Sequence, residues 1–196
     1  MARGIAFFGL NGAGKSTLAH ALAKETGFFE MDAEDYYFPE QRASRAQALE
    51  CAESIKTEHL GALPFSVSRT KDEAEAAMLT DMRAHPRFIL AGVTLRWRSE
   101  ILEQIAVAFL VETPAQERAR RIQSREEKRF GARVLPGGDM YAQQSEFRAW
   151  AQARDPQLAE DSAKELRCPV VRLNGLLPLE ENLRIIRERI AEIIKK

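Results

Sequence analysis

The chain has 196 residues, of which 45% are hydrophobic and 30% charged, and its formal net charge is zero. This length fits one domain with a hydrophobic core. Proteins that bind nucleic acids or membrane surfaces usually carry an excess of basic residues, which this chain lacks, so we expect neither partner. Two cysteines, Cys51 and Cys168, are too few for a disulfide framework or a zinc site. No apolar run approaches the roughly 20 residues that cross a bilayer, so we expect a cytoplasmic protein without a signal peptide.

The first predicted elements are a buried strand, Gly4–Phe8, a glycine-rich loop and a helix over Lys15–Thr26. The loop, Gly9–Thr17, satisfies the Walker A pattern G-x-x-x-x-G-K-[ST] in the strand–loop–helix context that this motif requires. Glycines let backbone N–H groups turn towards phosphates, and the helix presents its positive N-terminus to the same anion. We therefore predict binding of ATP and Mg²⁺ by Gly9, Asn11, Gly12, Ala13, Gly14, Lys15, Ser16 and Thr17.

Two side chains of this loop carry most of its predicted chemistry. Lys15 is expected to reach the β- and γ-phosphates, and it is therefore a predicted catalytic residue. The hydroxyl of Ser16 is expected to ligate Mg²⁺.

Acidic residues follow the second predicted strand, Phe28–Met31. Open α/β sheets bind ligands at the carboxyl ends of their strands, where an acid can hold Mg²⁺ or accept a proton from an attacking hydroxyl. We predict Asp32 as a catalytic and metal-binding residue, and Asp32, Glu34 and Asp35 as acceptor-binding residues. The alternative is a polar turn in which Asp35 caps a helix.

The segment between the second and third strands has a helical composition. Residues 39–85 are rich in Ala, Glu, Gln and Arg, with a predicted break near Gly61–Pro64. The third predicted strand, Arg87–Ala91, has Ala91 where an ATPase of the Walker B type carries an acid. No Asn-Lys-x-Asp motif for reading guanine occurs, which weighs against a GTPase.

The fourth predicted strand, Ile105–Val111, is a continuous apolar run of the kind buried on both faces of a parallel sheet. Thr113 is predicted to cap the next helix, with Pro114 at its first position and Gln116 completing a capping box.

This helix carries four arginines, and the loop after it carries glycines. Arg118, Arg121, Arg125 and Arg129 fall within one narrow stripe beside an apolar stripe. Guanidinium groups match the equatorial oxygens of a transferring phosphoryl group, so a phosphate site is favoured over a solvated face. The loop Phe130–Asp139 has glycines that could hinge a lid, which would exclude water.

A helical pattern then continues to about Arg167, followed by a fifth strand, Pro169–Leu173, and a last helix with an apolar stripe from Leu179 to Ile193. Strands that alternate with helices predict an α/β fold with a parallel sheet covered on both faces.

Over nearly its whole length the chain resembles the adenylate-kinase-like and shikimate-kinase-like branch of P-loop kinases. Asp32–Tyr37 resembles the acidic segment of shikimate, gluconate and uridine kinases. Phe88–Gly92 resembles the F-I-L-D-G strand of adenylate kinase, with Ala91 in place of its Asp. Further similarities lie in Gly9–Thr17, in the arginines 121, 125 and 129, and in Leu173–Pro178, which resembles the loop that packs on adenine.

The resemblance implies a P-loop NTPase fold, with one kinase domain over residues 1–196 and a five-stranded parallel sheet of order 2-3-1-4-5. It implies an acceptor-binding helical insertion at about 39–85 and a lid at about 128–139. It also implies catalytic roles for Arg121 and Arg125, nucleotide binding by Arg121 and Gly175, and substrate binding by Arg129.

The acceptor class stays open between a hydroxyl-bearing metabolite or nucleoside, which would use Asp32, and a nucleoside monophosphate. A monophosphate needs no base but needs arginines in the insertion, for which Arg42, Arg45, Arg69 and Arg83 are candidates, with Arg69 assigned to the substrate. A third alternative is a non-catalytic ATP-binding regulator. We expect a small-molecule partner, and the oligomeric state stays open, with a monomer slightly favoured.

Overall fold

The computed structural model describes residues 4–43, 45, 49, 65 and 67–194, which form an α/β fold. Its strands are β1 (Gly4–Phe8), β2 (Phe29–Asp32), β3 (Phe88–Gly92), β4 (Ile105–Glu112) and β5 (Val170–Asn174). Its helices are α1 (Lys15–Thr26), α2 (Ala33–Tyr37), α3 (Lys71–Ala84), α4 (Ser99–Leu102), α5 (Ala115–Phe130), α6 (Tyr141–Ala153), α7 (Gln157–Glu165) and α8 (Leu179–Ile194). Short 3₁₀ turns lie at Pro39–Gln41 and Gly131–Val134.

The five strands are all parallel, in the order β2-β3-β1-β4-β5, which confirms the predicted topology. At the end of β1, Phe8 lies level with Gly92 of β3 and with Leu110 of β4. Asp32, the last residue of β2, lies level with Ala91. The carboxyl ends of the strands therefore form one edge, where the loop after β1 and the acids after β2 meet.

Helices cover both faces of the sheet, because alternate side chains of each buried strand point in opposite directions. On one face, Ala6 and Phe8 pack with residues of α3, α4 and α7. On the other face, Ile5 and Phe7 pack with residues of α1 and α8. Residues of β4 from Val107 to Val111 are all buried, as its continuous apolar sequence predicts.

Helix boundaries differ from the prediction at two places. Thr113 does not cap α5: Pro114 is the N-cap, and the Thr113 hydroxyl donates instead to the carbonyl of Ala13 at 3.0 Å. The long helical pattern before β5 is two helices, α6 and α7, because Arg154 is extended and Pro156 follows two residues later.

The insertion predicted at about 39–85 is described in part. Its second half contains α3, which begins with a capping box between Thr70 and Glu73. The predicted break near Gly61–Pro64 lies outside the described residues. Along the described ranges, no helix combines the length and the apolar character that a membrane span requires.

The apolar stripe of α8, predicted from Leu179 to Ile193, is fully buried only in the middle of the helix. Leu183 and Ile186 are buried, Ile190 and Ile193 are partly buried, and Leu179 at the helix start is 39% exposed.

Candidate active site

The loop between β1 and α1 approaches its neighbours so closely that side chains would not fit. Gly9, Gly12 and Gly14 have φ of 136°, 80° and 105°, a region that favours glycine. A Cβ at Gly12 would lie 2.5 Å from the carbonyl oxygen of Arg118, and one at Gly9 would collide with the carbonyl of Val111. The first turn of α1 has no acidic residue and no side-chain cap, so its N–H groups are available to an anion.

Lys15 is the buried cation of this loop, with 7% of its surface exposed. Its ammonium group donates to the carbonyl of Leu10 at 3.0 Å. Burial lowers the pKa of Lys15 to about 8, although Asp32 opposes this shift and Arg125 adds to it. A bound phosphate would compensate this charge, so the site is electrostatically suited to an anion.

Asp32 joins the loop to β2. Its Oδ2 accepts a hydrogen bond from the Ser16 hydroxyl at 2.6 Å, and its Oδ1 accepts from the N–H of Glu34 at 3.0 Å. Asp32 is thus the N-cap of α2, which was predicted for Asp35 as the alternative to function. Because Asp32 lies beside Ala91, β2 supplies the acid that the end of β3 lacks.

The Ser16–Asp32 pair has the donor set that Mg²⁺ prefers. Within the described residues there is no group of three or more acidic, histidine or cysteine side chains that could hold a metal by itself. Magnesium commonly takes one or two protein oxygens and completes its shell with phosphate oxygens and water. Ser16 and Asp32 therefore fit Mg²⁺ bound together with a nucleotide.

Asp35 is buried against Arg45. The Arg45 guanidinium donates to both Asp35 oxygens, with Nε at 2.9 Å from Oδ1, and it also reaches Glu30 at 3.4 Å. Burial raises the pKa of Asp35, and Arg45 opposes that shift. Glu30 in turn bonds His20 at 2.7 Å. Arg45 was a candidate ligand for an acceptor phosphate, but its guanidinium is already paired with the carboxylates of Asp35 and Glu30.

Two clefts meet at the loop Gly9–Thr17, here called the phosphate loop. The larger, here called the aromatic cleft, has a volume of about 690 Å³. The smaller, here called the basic cleft, has a volume of about 300 Å³. The aromatic cleft is lined by Tyr37, Phe38, Phe65, Trp97, Phe130, Phe147 and Trp150, among other residues. The basic cleft includes Arg45, Arg120, Arg121, Arg125, Lys128 and Arg129. Both clefts share Gly12, Lys15, Ser16, Glu34, Arg125 and Arg129.

Two of the four α5 arginines hold the phosphate loop in place. Arg118 is buried and donates to the carbonyls of Asn11 and Ala151, at 3.2 and 3.3 Å, so it lies within the buried face rather than beside it. Arg121 donates to the carbonyl of Ala13 at 3.3 Å and to that of Gly175 at 2.9 Å. Arg121 thus connects the phosphate loop with the loop after β5.

The other two arginines face the junction of the clefts. Arg125 makes no hydrogen bond or ion pair within the described part of the chain and lines both clefts. Arg129 is buried, which lowers its pKa to about 10, and its Nη2 donates to Gln41 at 3.3 Å. Its guanidinium also lies over the rings of Phe65 and Phe130, at 5.6 and 4.9 Å from their centroids.

Gly175 and Arg69 lie outside both clefts. Gly175 is buried against the phosphate loop, where a Cβ would lie 2.9 Å from the carbonyl oxygen of Ala13 and collide with the Thr113 hydroxyl. Its nucleotide role stays a prediction, and its structural role is close packing. Arg69 is exposed, and its backbone N–H donates to the carbonyl of Tyr37 at 2.9 Å.

Sequence reasoning missed the contribution of α6. Phe147, Trp150 and Arg154, at the end of this helix, line the aromatic cleft. The Arg154 guanidinium lies 4.6 Å from the Trp150 ring centroid and donates to the Asn11 side chain at 3.4 Å. In the sequence these three residues are spaced by three and four positions, which places them on one helical face. This spacing is the pattern from which their shared position could have been predicted.

The predicted lid loop is an ordered turn here. Arg133 bonds Asp139 at 2.7 Å across the turn, and Phe130, Val134 and Met140 form a small apolar cluster with Phe65. Movement of this segment stays a prediction.

Fold and site together define the class: the chain has the P-loop fold of small-molecule kinases. A family model described as AAA domain matches residues 5–144, and the chain therefore belongs to that family. An uncharacterized protein of Bacillus subtilis (strain 168), YqaC, is 25% identical over 191 residues, which cover 93% of this chain and 94% of that protein.

Solved structures of kinases share the fold. A sugar kinase from Janibacter sp. HTCC2649 is 18% identical, with a TM-score of 0.52 over 96% of this chain and 94% of that one. A gluconokinase from Sinorhizobium meliloti 1021 is 17% identical, with a TM-score of 0.53 over 99% and 96%. A deoxyadenosine kinase from M. mycoides with bound dATP is 14% identical, with a TM-score of 0.51 over 95% and 98%.

Proposed function

We propose that this protein is an ATP-dependent kinase that transfers the γ-phosphate to a hydroxyl group of a small molecule. The observation that carries the proposal is the junction of two clefts at Lys15 and Ser16. One cleft is basic and suits the phosphates of a nucleotide, whereas the other is aromatic and large enough for an acceptor, since small-molecule sites span about 300–1,000 Å³. We place the protein in the cytoplasm, a reducing compartment in which a free thiol such as that of Cys168 persists.

The nucleotide side stabilises negative charge. The N–H groups at the start of α1 and the ammonium group of Lys15 hold the phosphates, and Arg125 faces the position where both clefts meet. Ser16 and Asp32 would hold Mg²⁺, which when bound neutralises charge that develops on the transferring group. Arg129 adds a second guanidinium at the same junction.

We assign the proton acceptor to Glu34. Both oxygens of Asp32 already accept hydrogen bonds, from the Ser16 hydroxyl and the Glu34 N–H, which suits a role on the metal side. The Glu34 carboxylate accepts no hydrogen bond from the described residues and lines both clefts. Of the carboxylates that line the aromatic cleft, Glu34 is the one that also lines the basic cleft, so it can accept the proton of an acceptor hydroxyl at their junction.

A nucleoside monophosphate fits the aromatic cleft less well. The cations that line it are Lys15, Arg125, Arg129 and Arg154, and four carboxylates line it too: Asp32, Glu34, Glu126 and Glu146. An additional phosphate would meet these carboxylates, while Arg45 is already paired and Arg69 lies outside the cleft. A hydroxyl acceptor is the better match.

The test is ADP release with Mg-ATP and two acceptor panels, hydroxyl compounds (nucleosides, sugars and sugar acids) and nucleoside monophosphates. We expect turnover with a hydroxyl compound, and a kcat at least about 100-fold lower for Glu34→Gln with unchanged ATP affinity. Glu40→Gln, at an exposed acid outside both clefts, is the matched control. Turnover with monophosphates alone would refute the role of Glu34. ATP binding without transfer to any acceptor would instead favour the alternative that the protein is a non-catalytic ATP-binding regulator.

A further inference from the structure

Helices α5 and α6 bring two buried polar side chains to the aromatic cleft, and both have unused hydrogen-bonding capacity. Glu126 is 2% exposed; Arg148 donates to its Oε2 at 2.7 Å, while its buried Oε1 has no partner among the described residues. Gln144 is 4% exposed; its backbone N–H donates to the carbonyl of Met140, and its side-chain amide makes no hydrogen bond to the described residues. Buried polar atoms are normally paired, so the unpaired Glu126 Oε1 indicates a missing partner, and the Gln144 amide beside the same cleft is available to one.

The two side chains belong to the same part of the cleft wall. Gln144 lies four residues before Arg148, and residues at this spacing are neighbours on one helical face. Since Arg148 donates to Glu126 across the helix pair, Gln144 lies one turn from the contact that Glu126 makes with α6. The wall therefore presents an amide, which can donate and accept, about one helical turn from the contact of a carboxylate, which accepts.

Aromatic rings line the same cleft as these polar groups. Phe147 and Trp150 on α6 have ring centroids 5.9 Å apart, and Tyr37 and Trp97 have centroids 6.1 Å apart. Aromatic side chains favour stacked or edge-on contact with another flat ring. An amide or a carboxylate at the edge of such a ring is the combination with which proteins bind nucleobase edges.

We infer that the acceptor is a nucleoside, with its base bound by Gln144 and Glu126 between aromatic side chains and its sugar hydroxyl directed to Glu34. This inference rests on the proposed kinase activity for its chemical step. In that step the hydroxyl oxygen bonds to the γ-phosphorus, the bond from that phosphorus to the β–γ bridging oxygen breaks, and Glu34 takes the hydroxyl proton. The products are ADP and a nucleoside monophosphate.

The experiment compares nucleosides with ribose and gluconate, both as acceptors in ADP release and as ligands in calorimetry. Ribose is the matched ligand control, because it keeps the sugar hydroxyls and lacks the base. We expect turnover with a nucleoside at a KM at least about tenfold below that of ribose. Gln144→Met, which keeps the side-chain length, should raise the nucleoside KM and Kd at least about tenfold, with little change in kcat. Gln152→Met, at an exposed position of the same helix, should change neither.

The outcomes separate this inference from the proposed function. Turnover with ribose or gluconate but neither binding nor turnover of nucleosides overturns the inference and leaves the kinase in place. Nucleoside binding that Gln144→Met weakens, without ADP release for any acceptor, supports the nucleoside site and refutes the kinase. Nucleoside turnover with an unchanged KM in both Gln144→Met and Glu126→Gln overturns the assignment of the base site. A protein that neither binds nucleosides nor releases ADP overturns both.

Discussion

The buried Lys15 makes ATP affinity depend on pH. With a pKa of about 8 in the free protein, about nine tenths of Lys15 is protonated at pH 7 and about one tenth at pH 9. A phosphate bound against the ammonium group raises that pKa, so binding at pH 9 must take up a proton. The affinity for ATP should therefore fall about tenfold between pH 7 and pH 9.

Calorimetry in two buffers of different ionisation enthalpy measures both the affinity and the protons taken up. We expect close to one proton per ATP at pH 9 and close to none at pH 7. The control is Lys24→Met, at an exposed position on the same helix, which should leave both values unchanged. A constant affinity over this range, without proton uptake, would refute the lowered pKa.

The same pKa implies that Lys15 costs stability. A lysine with a lower pKa when folded binds fewer protons than in the unfolded chain, so the free energy of unfolding rises as pH increases from about 8 towards 10.5. At 1.36 kcal/mol per pKa unit the whole cost is about 3 kcal/mol, present below pH 8. Lys15→Met also loses the bond to the Leu10 carbonyl, so denaturant unfolding should show it about 2 kcal/mol more stable than wild type at pH 7. A less stable variant would contradict this reasoning.

Three further predictions concern the loop and the acids beside it. Gly12→Ala should lower the free energy of unfolding by about 1–3 kcal/mol and weaken ATP binding, because the new Cβ meets the Arg118 carbonyl at positive φ; equal stability by denaturant titration would contradict the observed loop geometry. Ser16→Ala should raise the Mg²⁺ concentration that gives half-maximal ADP release, and an unchanged Mg²⁺ titration would remove this hydroxyl from the metal site. Arg45→Met should destabilise the fold by about 3–5 kcal/mol at pH 7, since it leaves the buried Asp35 carboxyl without its cationic partner; the double variant with Asp35→Asn should recover most of that loss in thermal unfolding.

Much of the fold follows from local patterns. The apolar run Ile105–Val111 became β4, Ile105–Glu112, and the glycine pattern after Phe8 became the phosphate loop with its positive φ values. These features are predictable because a strand buried on both faces needs continuous apolar residues, and a phosphate loop needs glycine where no Cβ fits. The strand order came from the resemblance to P-loop kinases rather than from the strands themselves, and the sheet confirms it.

The sequence by itself determined the α/β class, the phosphate loop and the acids beside it. Only the tertiary structure decided which partner each side chain takes. Helical spacing placed four arginines on one stripe. In the folded protein, Arg118 and Arg121 donate hydrogen bonds to backbone carbonyls. Arg125 and Arg129 instead lie at the junction of the two clefts. The Thr113 hydroxyl was predicted to cap the helix that follows it, but it donates to the carbonyl of Ala13, 100 residues earlier in the chain. Periodicity specifies the face of an element, whereas a hydrogen bond depends on which distant segments the folded chain brings within about 3 Å of each other.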